Sequence, residues 1–89
     1  MKAVVTVIGK DCVGIISKVS GKCAEQGANI VDISQTVMRD WFAMMMLVDI
    51  DGIRGSFGEF VDEMKRLGEE NGLSITAMHE DIFNTMHHI

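Results

Sequence analysis

The feature that most constrains the fold is the order in which two hydrophobic periods follow one another along only 89 residues. Stretches typical of strands, with a short apolar run or a period of two, alternate with stretches whose apolar residues recur every three to four positions, as in helices. The resulting order is β-α-β-β-α-β, and no proline interrupts any element. The predicted elements span residues 2–8, 12–26, 29–38, 41–49, 56–71 and 73–79.

The ends of the two predicted helices carry capping signals. Ser56 and Glu59 form a Ser-x-x-Glu capping box, in which each residue satisfies an N–H group of the other at the start of the second helix. Asp11 offers a carboxylate as the N-cap of the first helix, and Gly27 supplies the residue that ends it.

The second and third predicted strands differ in how they expose their faces. In the second strand, Val31, Ile33 and Val37 alternate with polar residues, which is typical of a half-exposed strand. The third strand, 41–49, is apolar on both faces, and residues 80–89 place apolar side chains at helical steps. A short C-terminal helix is therefore predicted after the last strand.

Right-handed crossovers in both halves of this order predict an α+β, ferredoxin-like sandwich. Four antiparallel strands lie in the order 4-1-3-2, both helices cover one face, and the short C-terminal helix follows. We predict a single domain over 1–89, with a core at about 3–79 and a helical tail at 80–89. The second sheet face would expose a contiguous apolar patch, so we expect a homo-oligomer, with a dimer as the expected form. The sheet face, the sheet edge and the tail are all open as the interface.

Charge excludes several classes of partner. Eight basic residues against thirteen acidic ones give a net charge of -5, which disfavours nucleic acids and anionic membrane surfaces. No basic segment precedes an apolar stretch at the N-terminus, and no apolar run approaches the length of a membrane span. We expect a cytoplasmic protein.

Cysteine and histidine spacing predicts neither a cofactor nor a metal. Cys12 and Cys23 are ten residues apart without a Cys-x-x-Cys pair, and both are interpreted as reduced thiols. His79, His87 and His88 do not have the spacing of a helical metal-binding pair. Cys12 at a helix start is a weaker candidate for a reactive thiol.

The loop between the first strand and the first helix is the most informative stretch. Gly9 and Gly14 permit close approach of a ligand to the backbone, and the helix start offers free N–H groups to a carboxylate. Asp11 is suited to pairing with an ammonium group, so the loop matches a free amino acid. The alternative is purely structural: Asp11 caps the helix and Asn29 serves a turn.

The residues Gly9-x-Asp11-x-x-Gly14-Ile15, followed by the Gly-Ala-Asn-Ile-x-Asp-Ile segment at 27–33, resemble the signature of the ACT domain, an amino-acid-sensing module. The resemblance covers about 3–79. The length, the Met-rich third strand and the tail resemble small stand-alone bacterial and archaeal ACT proteins, and are similar to the repeats of glycine cleavage system regulators.

In that family the ligand lies between this loop of one subunit and the start of the second strand of its neighbour. The resemblance thus implies ligand-binding roles for Asp11, Val13, Gly14, Ile15, Asn29 and Ile30. Because no catalytic domain accompanies the module here, any signal is expected to pass through the oligomer or through a protein partner.

The sequence bears on three classes of function. The favoured one is a regulatory module that binds a small molecule, an amino acid by family resemblance. The alternative is a protein-interaction or oligomerisation module with no ligand. An enzyme is not expected, because Lys10 is the only cation near the loop and no His, Ser or Arg gathers around it in sequence.

Overall fold

The computed structural model describes residues 1–10 and 14–86. The predictions that concern Asp11, Cys12, Val13, His87 and His88 therefore fall outside the described residues. The elements are β1 (Lys2–Gly9), α1 (Ile15–Gln26), β2 (Asn29–Met38), β3 (Trp41–Asp49), α2 (Phe57–Glu70), β4 (Ser74–His79) and α3 (Glu80–Met86). In the described part of the chain, no helix has both the length and the apolar character that crossing a membrane requires.

The four strands form one antiparallel sheet in the order β2-β3-β1-β4. These are the neighbours of the predicted order 4-1-3-2, read from the opposite edge. β1 and β3 are central, and Val5 of β1 lies between Met46 of β3 and Ala77 of β4. The ferredoxin-like α+β architecture predicted from the sequence is confirmed.

Both helices pack on the same sheet face. Alternate residues of β1 and β3 point towards them, and α1 and α2 each contribute an apolar stripe to a common core. Each large side chain buried in this way stabilises the fold by about 1.5–3 kcal/mol. The buried core residues are Ala3, Val5, Val7, Ile15, Val19, Cys23, Ala28, Phe42, Met44, Met46, Val48, Ile50, Phe60, Met64 and Ile75.

β2 contains a β-bulge, so its alternation of buried and exposed residues differs from the predicted one. Ile30 pairs with Val48 and Asp32 pairs with Leu47, so Val31 is an extra residue without a partner across the strands. The bulge places Ile30 and Ile33, rather than Val31 and Ile33, on the face that packs against the core. Val31 is half exposed as a result.

The start of α1 also differs from the prediction. The helix begins at Ile15, and its N-cap is Gly14 in the left-handed conformation with φ 75°. A right-handed helix cannot continue through a residue with positive φ, so the turns begin after Gly14. The prediction that this helix starts at about residue 12 is therefore wrong, while the predicted capping by Asp11 lies outside the described residues. The predicted end is confirmed, since Gly27 is the C-cap with φ 82° and its N–H donates to Ala24.

The second sheet face is covered only in part. α3 lies against β1 and β4, and its Phe83 shares a cavity of about 150 Å³ with Val4 and Leu47. Beyond α3 the face stays open, because Ile8 and Trp41 retain 42% and 51% of their accessible surface. The apolar patch predicted from the sequence is therefore present next to the tail.

Candidate ligand-binding site

The N-terminus of α1 is the centre of the predicted site. A Cβ at Gly14 would meet no atom of the described residues within 4 Å, apart from those of its chain neighbours. The first helical hydrogen bond in the backbone is donated by Lys18 N–H to the carbonyl oxygen of Gly14, at 3.0 Å. Glycine has no side chain to serve as a cap, and no side chain of the described residues caps this helix. The first-turn N–H groups of α1 are therefore without a side-chain partner in the described part of the chain.

An uncapped helix start is electrostatically positive. The N–H groups of the first turn have no partner inside the helix, and the helix dipole adds the equivalent of about half a positive charge there. A carboxylate can accept hydrogen bonds from these groups in place of a cap. The first turn of α1 contains no acidic side chain to offset this charge.

Ile15 contributes to this site through its backbone only. Its side chain is 3% exposed and packs in the core beneath the helix. Its N–H is the first of the helix. The predicted residues Asp11 and Val13 lie between Gly14 and the described end of the preceding loop at Lys10, outside the described residues.

Asn29 and Ile30 lie at the opposite end of the sheet from Gly14. Asn29 pairs with Asp49, which pairs in turn with Lys2 at the start of β1. The loop that leads to Gly14 leaves the far end of the same strand, at Gly9. At about 3.3 Å per residue, the two ends are about 23 Å apart. One subunit therefore does not bring the two halves of the predicted site together.

Cys23 is a core residue and not a nucleophile. It is fully buried on the inner stripe of α1, and burial raises the pKa of its thiol from 9.0 to about 11. The thiolate, which is the reactive form, is therefore scarce at neutral pH. Among residues 1–10 and 14–86, no group of three or more metal-ligating side chains is positioned to hold a metal ion.

A second concave region was not predicted from the sequence. It is a pocket of about 440 Å³ beside the end of β1, and it brings Lys10 and Trp41 together. The Nζ atom of Lys10 lies 5.2 Å from the centre of the Trp41 ring system. In the structure Gly9 pairs with Phe42, and extending that register by one residue sets Lys10 opposite Trp41. The sequence pattern predicted both strands but not this register, so it did not bring the two residues together.

Comparison with known proteins identifies the family. A sequence model of the ACT domain matches residues 2–78. A UPF0237 protein of Methanopyrus kandleri is 49% identical over 88 residues, which cover 99% of this chain and 98% of that protein. A UPF0237 protein of Listeria innocua is 52% identical over 87 residues, with 98% of both chains covered.

Solved structures agree with this result. An ACT domain protein from Streptococcus pneumoniae has a TM-score of 0.83 and 43% sequence identity, with 93% of both chains covered. A proposed glycine cleavage system transcriptional repressor shares the fold, with a TM-score of 0.70 and 24% identity over 86% of this chain and 44% of that chain. The resemblance inferred from the glycine-rich loop is confirmed, and the chain belongs to the ACT domain family.

Proposed function

We propose that this protein is a regulatory module that binds a free amino acid between two subunits. The carboxylate of the ligand accepts hydrogen bonds from the first-turn N–H groups of α1. The observation that carries the proposal is the open helix start behind Gly14, where no Cβ blocks the approach to the backbone. Membership of the ACT domain family supports the regulatory role.

The other end of the amino acid requires a negative partner. Asp11, next to this helix start in sequence, is the carboxylate that we assign to the ligand's ammonium group. Val13 and Ile15 complete the loop side, with Ile15 acting through its backbone. We propose that the module binds its ligand without catalysis, in keeping with its membership of the ACT domain family.

The second half of the site is assigned to a partner subunit. β2 is an edge strand of ten residues, and its outer edge has no neighbour in the sheet. If two copies pair their β2 strands antiparallel about a two-fold axis, Asn29 of one copy lies level with Met38 of the other. Met38 is at the same end of the sheet as Gly9, where the ligand-binding loop begins. A homodimer therefore brings Asn29 and Ile30 towards the α1 site of the neighbour.

An interaction module without a ligand is the second candidate. Its support is the exposed apolar side chains of Ile8, Trp41 and Met45 on the open sheet face. In that case signal output and assembly would both depend on this face, and the α1 start would stay empty. Met45→Lys is expected to disrupt assembly under this second candidate and to leave an edge-paired dimer intact on a sizing column.

A thermal-shift scan against each common amino acid at millimolar concentration tests the proposal. A ligand at 100 times its dissociation constant stabilises the folded state by about 2.7 kcal/mol. In a domain of this size, each kcal/mol raises the unfolding midpoint by about 4–8 °C. We expect a selective rise with one or two amino acids. A flat scan would favour the interaction module.

Gly14→Asn and Gly72→Asn form a matched pair for locating the ligand. Both glycines have positive φ, 75° and 68°, and open space where a Cβ would lie. Asparagine tolerates this conformation better than other residues with a side chain, so the backbone cost is similar at the two positions. Gly14→Asn fills the proposed site and is expected to abolish the thermal shift, whereas Gly72→Asn retains it. Equal shifts in both variants would refute the assignment to α1.

Asn29→Ala tests the contribution of the second subunit. Asn29 is exposed in one copy, so the substitution is expected to leave the unfolding midpoint without ligand within about 0.5 kcal/mol of the parent. The ligand-induced shift is expected to fall. An unchanged thermal shift would refute the assignment of β2 to the site. It would not contradict the assignment of the α1 start.

A further inference from the structure

A separate pocket of about 440 Å³ lies where the end of β1, the start of β3 and the turn between α2 and β4 meet. None of Gly14, Ile15, Asn29 and Ile30 lines it. Its walls include Ile8, Lys10, Trp41, Asn71, Gly72 and Leu73.

The base of the pocket is fixed by close packing. Gly9 is buried, and a Cβ on it would overlap Cδ2 of Leu73. Glycine at this position therefore lets the turn after α2 lie directly against β1. Ile8 and Trp41 keep 42% and 51% of their surface exposed, so they offer an apolar wall and a flat aromatic face to a ligand.

Lys10 is the one cationic side chain among the described residues that line the pocket. Lys10 Nζ lies 5.2 Å from the centre of the Trp41 ring system. Two hydrogen bonds hold the lining residue Asn71 in place. Lys18 Nζ, which is not part of the lining, donates to Asn71 Oδ1 at 2.8 Å, and Asn71 Nδ2 donates to the Leu67 carbonyl at 2.8 Å. No Asp or Glu of the described residues lines the pocket, although the whole chain has thirteen acidic residues against eight basic ones.

We propose that this pocket binds a second small molecule, a carboxylate with a flat aromatic body and no ammonium group. The aromatic body lies against Trp41 and Ile8, and the carboxylate pairs with Lys10, which gives up its position over the indole ring. A ligand ammonium would be repelled by Lys10 and would find no carboxylate among the described lining residues. The ligand class thus differs from the free amino acid assigned to α1.

The chain has a built-in reporter for this pocket. Trp41 is its single tryptophan, and the chain contains no tyrosine, so intrinsic fluorescence observes the pocket wall directly. Titration with phenylacetate is expected to change the Trp41 emission saturably. Acetate, which lacks the ring, and benzylamine, which has the ring with a positive charge, are expected to give no saturable change. Equal responses to phenylacetate and benzylamine would overturn the assigned ligand class, and no saturable response to phenylacetate would overturn the proposal.

Two variants test the residues. Lys10→Gln removes the charge of an exposed side chain and is expected to weaken phenylacetate binding by about fivefold. An unchanged dissociation constant for phenylacetate would show that Lys10 does not pair with the carboxylate.

Gly72→Asn places an amide side chain in the pocket and is expected to abolish the phenylacetate response, with Gly14→Asn as the control that retains it. Loss of the response in Gly14→Asn alone would overturn the proposal by moving phenylacetate to the α1 start. Since the same two variants have opposite expected effects on amino acid binding, failure of one site is distinguishable from failure of the other. Circular dichroism of both variants verifies that each is folded.

Discussion

At the start of α2, Ser56 Oγ accepts a hydrogen bond from the Glu59 N–H at 3.2 Å, and Glu59 Oε1 accepts one from the Ser56 N–H at 3.5 Å. At the start of α1, the corresponding position is Gly14, which has no side chain and a left-handed backbone. Both helices pack on the same core and have N–H groups to satisfy. The start of α2 is completed by its own side chains, whereas no side chain of the described residues caps the start of α1.

The two kinds of cap have different consequences for the stability of a helix and for access to its N–H groups. A capping box of the kind at Ser56 stabilises a helix because its donors are already paired, and a ligand would have to displace the side chains first. The start of α1 has no such side-chain cap among the described residues. The comparison therefore assigns the cap of α2 to folding, and the proposed role of Gly14 in binding is what the predictions below test.

The largest expected effect tests whether packing or capping dominates at α2. Phe60 is 1% exposed and lies one turn into the helix, on its core stripe. Phe60→Ala is expected to lower the free energy of unfolding by about 3–5 kcal/mol, because it removes apolar contacts and leaves a cavity. Urea unfolding measures the loss, with the exposed Glu70→Ala on the same helix as the control. A loss below about 1 kcal/mol would mean that the capping box, and not the core, holds α2 in place.

The sequence predicted the elements whose signals are local. The bounds of β2 and β3 match the prediction, since apolar residues flank a two-residue turn at 39–40. The start of α2 was also predictable, because both partners of its capping box lie within four residues. The glycine that ends α1 is another local signal that the structure confirms.

The errors arose where the outcome depends on distant parts of the chain. Residue type alone did not show that Gly14 takes the left-handed conformation and delays the start of α1 to Ile15. The bulge at Val31 depends on how β2 registers against Val48 and Leu47 of β3. The pocket at Lys10 and Trp41 joins residues that are far apart in sequence, and Asn29 belongs to the proposed site only through a second subunit.

The second prediction concerns the body of α1, where Cys23 is buried in the core. Because burial raises the pKa of Cys23 from 9.0 to about 11, the folded protein keeps this proton at pH values where the unfolded chain loses it. The stabilisation is complete below about pH 9 and is lost as the pH rises towards 11. The loss is on the order of 2 kcal/mol.

Urea unfolding between neutral and alkaline pH measures this loss in a Cys12→Ser background, so that Cys23 is the sole thiol. Cys23→Ala in the same background is the control, since lysines and other alkaline groups titrate equally in both proteins. The difference between the free energies of unfolding of the two proteins is expected to become smaller as the pH rises above 9. A constant difference would show that the thiol of Cys23 is not held in a buried, neutral form.

The smallest expected effect directly tests the contrast between the starts of α1 and α2. Ser56→Ala is expected to lower the free energy of unfolding by about 1 kcal/mol, and Ser56→Thr to retain most of it. Amide hydrogen exchange followed by NMR is expected to show a protected Glu59 N–H that loses its protection in Ser56→Ala. The Ile16 and Ser17 N–H groups of α1 are expected to exchange rapidly in every variant without ligand, and to slow only when an amino acid binds. If Ile16 and Ser17 are already as protected as Glu59 in the free protein, the start of α1 is satisfied by the chain itself. Its donors are then unavailable to a carboxylate, and the contrast between the two helices does not explain binding.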